Sequence, residues 1–119
     1  MTMKIVPLSG SIGAEIQGVN LAKLEDGAFA GIRQALLDHS VICFRDQNLT
    51  PDEQLAFAEQ WGEIHLPPYL NGLPERPEIM EIVKEAGERN RFGVHWHTDQ
   101  IFTPSPAMAT MLYAREGPP

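Results

Sequence analysis

The chain of 119 residues has one cysteine. A single thiol excludes an intrachain disulfide and any multi-cysteine zinc or iron–sulfur site. Cys43 lies in the apolar run Val41-Ile42-Cys43-Phe44, the setting of a small buried hydrophobe rather than a nucleophile. So little cysteine fits a reduced, cytoplasmic setting. No apolar run approaches the roughly 18 residues that a membrane helix needs. Residues 1–10 lack the basic start and long apolar stretch of a secretory signal. Basic residues are the minority: nine Lys and Arg against 16 Asp and Glu give a net charge of −7. That balance argues against nucleic acid or an anionic membrane as partner. No internal repeat or low-complexity tract occurs, and the length suits one small domain rather than two. Hydrophobic residues at 43% and charged residues at 21% are ordinary for a globular chain, so disorder is not expected.

Periodicity places the elements. Residues 3–8 read as a short strand, 9–13 as a turn eased by Gly10 and Gly13, and 14–19 as a returning strand. Residues 26–39 carry Phe29, Ile32, Leu36 and Leu37 on one helical face, with Asp26 as the expected N-cap. Residues 41–44 are then a short run of strand formers, closed by 45–48. The second helix has the clearest start. Thr50 is its cap, Pro51 its first residue, and Glu53 stands three after the cap. Leu55, Phe57, Ala58 and Trp61 follow, and Gly62 stops it. Two helices with a strand between them predict α-on-β packing rather than a bundle. Pro67, Pro68, Gly72, Pro74 and Pro77 make 66–77 a loop. Strands are expected within 78–85 and at 107–114, where helix is the rival because Ala, Met and Leu favour it. Residues 92–99 should be extended. Trp61 and Trp96 read as core residues. The glutamates at 75, 78, 81, 85 and 88 lack the loop spacing of a calcium site and read as solvated.

The chemistry concentrates in His95-Trp96-His97-Thr98-Asp99. In extended chain, residues i and i+2 face the same way, so His97 and Asp99 can meet one metal ion. Nitrogen and carboxylate donors without thiolates suit Fe(II), Mn(II) or Zn(II). The alternative is a chance His-x-Asp whose side chains merely cap backbone groups. His95 and Asp99 lie roughly 13 Å apart along a strand, so both reach one ion only if the chain bends, and His95 reads either as a residue beside the ion or near substrate or as simple packing. His65 follows the helix-ending Gly62 and is read either as a substrate contact or as a cation at the helix carboxyl end. Tyr69 and Asn71 lie in the proline-rich loop, which could shape a substrate mouth.

Trp96-His97-Thr98-Asp99, followed by Phe102, Pro104, Pro106, Ala107 and Gly117-Pro118-Pro119, resembles the Fe(II)/2-oxoglutarate-dependent dioxygenases that include taurine dioxygenase and 2,4-dichlorophenoxyacetate dioxygenase. Earlier stretches agree in order: Ser11-Ile12-Gly13-Ala14-Glu15-Ile16, Gly18-Val19-Asn20-Leu21, Val41-Ile42-Cys43-Phe44-Arg45 and Trp61-Gly62-Glu63-Ile64-His65. The likeness covers essentially the whole chain. It implies an α+β fold, a partial double-stranded β-helix, or jelly-roll, with N-terminal helices packed on the sheet. It implies His97 and Asp99 as ligands of Fe(II), 2-oxoglutarate as cosubstrate, and dioxygen and a small organic substrate of the sulfonate, sulfate or aryloxy-acid type. His65, Tyr69, Asn71 and His95 are carried along as substrate-side residues.

In that family the third iron ligand is a distal histidine and an arginine holds 2-oxoglutarate. No histidine follows His97 here. The expectation is therefore that residues 1–119 form a single, truncated domain, the N-terminal half of such an enzyme, inactive and marginally folded alone. A non-catalytic fragment and a zinc-dependent hydrolase are the rival readings. A homo-oligomer is left open.

Overall fold

Alternation builds the sheet. In strand β2, Ala14–Gln17, Ala14 and Ile16 are buried and Gln17 is exposed, the period of two that a strand imposes. Strand β1, Lys4–Pro7, runs antiparallel beside it, with Lys4 opposite Gln17 and Pro7 opposite Ala14. Strand β3, Ile42–Cys43, lies on the other side in parallel, with Ala14 opposite Ile42. The order is β1-β2-β3. A parallel pair needs a crossover, and helix α1, Ala28–His39, supplies it. Two backbone bonds fasten its return: Gly13 N–H donates to the His39 carbonyl at 2.9 Å and Ala14 N–H to that of Val41 at 3.0 Å. These elements belong to one of two compact units, Met1–Gly62; the other is Glu63–Pro119. The computed structural model describes residues 2–66, 72–89, 94–99 and 101–117.

Helix α1 buries Ile32 and Ala35, and with Ala14 and Ile16 they make up much of the core. Leu37, expected on the same face, is 55% exposed. It lies five residues past Ile32, about 140° around the helix, and so turns away from the sheet. The N-cap is Gly27, not Asp26. The chain enters through a bond from Ala28 N–H to the Glu25 carbonyl, 3.1 Å, and that turn sets Gly27 at φ 82°, with no side-chain cap.

Helix α2, Pro51–Glu59, starts as the sequence predicts. Glu53 N–H donates to Thr50 Oγ1 at 3.2 Å, and Thr50 N–H donates to Glu53 Oε1 at 2.9 Å. Both orphan donors are satisfied by this reciprocal pair. Phe57 is buried and meets Phe29, Phe44 and Trp61 edge-on at ring separations of 6.2, 6.0 and 6.1 Å. Phe29 also meets Trp61 at 4.8 Å. Trp61 is half-buried at the edge of this ring cluster, short of the full burial expected of a core residue. Gln47 ties two loops together: its Oε1 accepts from Leu21 N–H at 2.8 Å, and its Nε2 donates to the Val19 carbonyl at 3.0 Å.

In Glu63–Pro119 the described residues form no helix or strand. The strands expected within 78–85 and at 107–114 are not formed there, because a strand exists through its ladder and these segments have no hydrogen-bonded neighbour strand among the described residues. The α-on-β half of the expected fold is therefore present, and a second, opposing sheet is not formed among the described residues. Tight turns hold the unit locally. Leu73 N–H donates to the Ile79 carbonyl at 2.7 Å, and Gly72 lies so near Pro77 that a Cβ would fall 2.0 Å from its carbonyl oxygen. Trp96 is fully exposed, against the expectation that it is core. Met108 and Leu112 are exposed, and Met111 is half-buried. No helix among the described residues is long and apolar enough to cross a membrane.

Candidate metal centre

His97 and Asp99 are two residues apart in a segment that forms no strand, with bends at His95 and Asp99. They meet: His97 Nε2 lies 3.2 Å from Asp99 Oδ1. Both are more than half exposed, at 54% and 63% of their side chains, so an ion and further ligands have access.

The other ring nitrogen fixes the chemistry of the first. His97 Nδ1 lies 2.6 Å from the His95 carbonyl oxygen. A carbonyl only accepts, so Nδ1 carries the proton and donates. In the neutral ring Nε2 then presents a lone pair. That lone pair faces a carboxylate oxygen, an unfavourable contact for two acceptors unless a proton or a cation lies between them. A metal-ligating histidine characteristically donates its other N–H to a carbonyl or carboxylate, which sets tautomer and ring orientation. With metal–ligand bonds of about 2.1 Å, adjacent donors on an octahedron are about 3.0 Å apart by geometry. The observed 3.2 Å fits that edge. The donor chemistry, one imidazole and one carboxylate, fits a divalent first-row ion. Among the described residues no group of three or more His, Cys, Asp or Glu side chains converges for a metal, so the pair stands as two donors.

Asp99 has a second neighbour that sequence reasoning missed. Thr110 Oγ1 lies 3.3 Å from Asp99 Oδ2. The only signal for it is the pattern of 107–114 as a strand, which does not say what that segment lies beside. His95 enters through its backbone carbonyl, while its side chain is exposed. His65 is half-buried, and its Nε2 is cut off from solvent without a hydrogen-bond partner. The C-terminal turn of α2 is closed by backbone donors of Gln60, Trp61 and Gly62, so it has no need of His65 as a cap. Tyr69 and Asn71 lie outside the described residues.

Residues 4–119 match the family described as taurine catabolism dioxygenase TauD, TfdA family. A (S)-phenoxypropionate/alpha-ketoglutarate-dioxygenase of Sphingobium herbicidovorans is 29% identical over 124 residues, 96% of this chain and 41% of that protein. An alpha-ketoglutarate-dependent sulfate ester dioxygenase of Pseudomonas putida is 32% identical over 114 residues, 94% of this chain and 37% of that protein. The crystal structure of a taurine dioxygenase from Burkholderia xenovorans superposes with a TM-score of 0.59 at 40% identity, covering 65% of this chain and 28% of that one. The chain thus spans about two-fifths of the length of these curated relatives.

Proposed function

Since this chain belongs to the TauD/TfdA family of taurine catabolism dioxygenases, we propose that it forms the part of an Fe(II)- and 2-oxoglutarate-dependent dioxygenase that carries the first two iron ligands, His97 and Asp99. The observation that carries the reading is the approach of His97 Nε2 to Asp99 Oδ1, with the tautomer set by the His95 carbonyl. When bound, the iron and its cosubstrate supply oxidative hydroxylation of a C–H bond with dioxygen as oxidant. The residues of this chain do the positioning. His97 offers one nitrogen lone pair in a fixed direction. Asp99 offers an anionic oxygen beside it. Two protein donors leave room for a further ligand, cosubstrate and oxygen, the open coordination that catalysis requires.

Residues 1–119 act as the N-terminal portion of one larger jelly-roll domain. The remaining protein ligand and the group that holds the 2-oxoglutarate carboxylate come from outside these residues. The substrate is a small organic anion, in keeping with the phenoxypropionate, sulfate ester and taurine named for the relatives. His65 is the candidate to meet it, because a buried imidazole nitrogen without a partner is costly unless something arrives to bond it. Tyr69, Asn71 and His95 are assigned to the same substrate side.

The test joins binding to turnover. In the enzyme that carries this sequence, His97→Ala and Asp99→Ala should lose Fe(II) binding together with 2-oxoglutarate-dependent succinate formation. His65→Ala should raise KM while leaving iron affinity nearly intact. The 119-residue chain alone should form no succinate with Fe(II) and ascorbate. Wild-type iron affinity in Asp99→Ala would reject the ligand assignment.

A further inference from the structure

The two oxygens of Asp99 have different neighbours. Oδ1 faces His97 Nε2 at 3.2 Å, and Oδ2 lies 3.3 Å from Thr110 Oγ1. An ionised carboxylate only accepts, so the proton in the second contact is the hydroxyl's, which rotates to suit its acceptor. An exposed aspartate held at one oxygen only would sample several rotamers, and most of them carry the other oxygen away from His97. The partner of His97 is a backbone carbonyl, which no substitution removes. The partner of Asp99 is a side chain, and it can be removed.

We infer that Thr110 is a positioning residue: by holding Asp99 Oδ2 it keeps Oδ1 aimed at the point shared with His97 Nε2, and so sets the affinity of the pair for a divalent first-row ion. The inference rests on the reading of His97 and Asp99 as metal ligands. Groups that hydrogen-bond a ligand from behind fix its direction, and their loss lowers metal affinity by about 10–100-fold. Thr110 and Asp99 are exposed, and 3.3 Å is long for a hydroxyl donor. The effect belongs at the low end, about 10-fold. Thr110 thereby ties 107–114 to 94–99 at the one place where the metal requires it, eleven residues along the chain.

The experiment titrates Co(II) into the enzyme that carries this sequence and into its Thr110→Val, Thr110→Ser and Asp99→Asn variants. Binding is read by equilibrium dialysis and by the visible absorption of the bound ion, and circular dichroism checks that each variant keeps the parent's fold. Valine keeps the shape and removes the donor; serine keeps the donor. The expected result is a loss of about 10-fold in Thr110→Val with an altered Co(II) spectrum, near-parent binding in Thr110→Ser, and the largest loss in Asp99→Asn. Thr110→Val binding as the parent does while Asp99→Asn fails would overturn the role of Thr110 alone. So would a Thr110→Ser that falls with Thr110→Val. A parent that binds no Co(II), or no better than Asp99→Asn, would overturn the ligand reading and the role of Thr110 with it.

Discussion

Truncating Phe57 to alanine removes the side chain on which both helices and the end of β3 converge. Phe57 is 3% exposed, so nearly all of its ring is withdrawn from water. Phe→Ala changes at such sites cost about 3–5 kcal/mol, the transfer term plus the cavity. Three edge-on partners at 6.0–6.2 Å lose their contact at once, and such pairs contribute about 0.5–1.5 kcal/mol each beyond area. The expected loss is therefore about 4–5 kcal/mol, the upper part of that range. At about 0.05–0.15 kcal/mol per residue, a unit the size of Met1–Gly62 has about 3–9 kcal/mol to lose. Phe57→Ala should therefore lose roughly half or more of that stability. Phe57→Leu keeps most of the volume and loses the ring contacts, so it should stay folded and lose about 1–2 kcal/mol. Urea denaturation followed by far-ultraviolet circular dichroism measures both. A Phe57→Ala variant that loses less than about 2 kcal/mol would refute the burial on which the reasoning rests.

Three further outcomes follow from the first unit. Thr50→Ala breaks the capping box and should cost about 1 kcal/mol by urea denaturation; an unchanged midpoint would mean that the cap is idle. Gly18 has φ +80°, and a Cβ there would lie 2.4 Å from the Thr2 carbonyl oxygen, so Gly18→Ala should cost about 1–3 kcal/mol. Gly27→Ala, with a similar φ but open space around it, should cost less, and the difference in melting temperature tests the clash separately from the strain. The Glu15 carboxyl is held below its usual range by the Gln17 amide and by Arg45, while burial pushes the other way. Between its folded and unfolded values the unfolded chain binds the extra proton. The stability from Glu15 is thus fully present above the ordinary glutamate value and is lost as pH falls through the lowered one. Glu15→Gln should flatten the acid limb of stability against pH, and an unaltered limb would count against a carboxyl held low by Gln17 and Arg45.

The first sixty residues were legible because their signals are local. Thr50, Pro51 and Glu53 announce α2 within four positions, and the alternation in 14–17 announces β2. Asp26 misled because it competes with Gly27, whose left-handed backbone is a property of the turn and not of composition. The loop-tying role of Gln47 was not legible at all: the Leu21 and Val19 groups it bonds lie 26 and 28 residues away. The same division runs through the site. His97 and Asp99 could be paired from their spacing of two. Thr110 could not, because the contact depends on two segments coming together. Trp96 misled because a large aromatic residue reads as core wherever a core is assumed, and the segment around it has no covering layer among the described residues. The strands expected within 78–85 and at 107–114 have strand composition and no ladder, since composition describes a face and a ladder needs a neighbour.

The two tryptophans fall one in each unit, Trp61 in the first and Trp96 in the second. Trp61 is half-buried, edge-on to Phe29 and Phe57, and Trp96 lies open to water beside His97. The fluorescence of the chain therefore has two separable sources. Iodide should quench the red-edge emission of Trp96 first and leave the bluer emission of Trp61 largely intact. A paramagnetic ion taken up at His97 should dim Trp96, its neighbour in the chain. The chain thus carries a built-in optical label at its candidate centre and a second one in its core, and no dye is needed to tell loading of one from melting of the other.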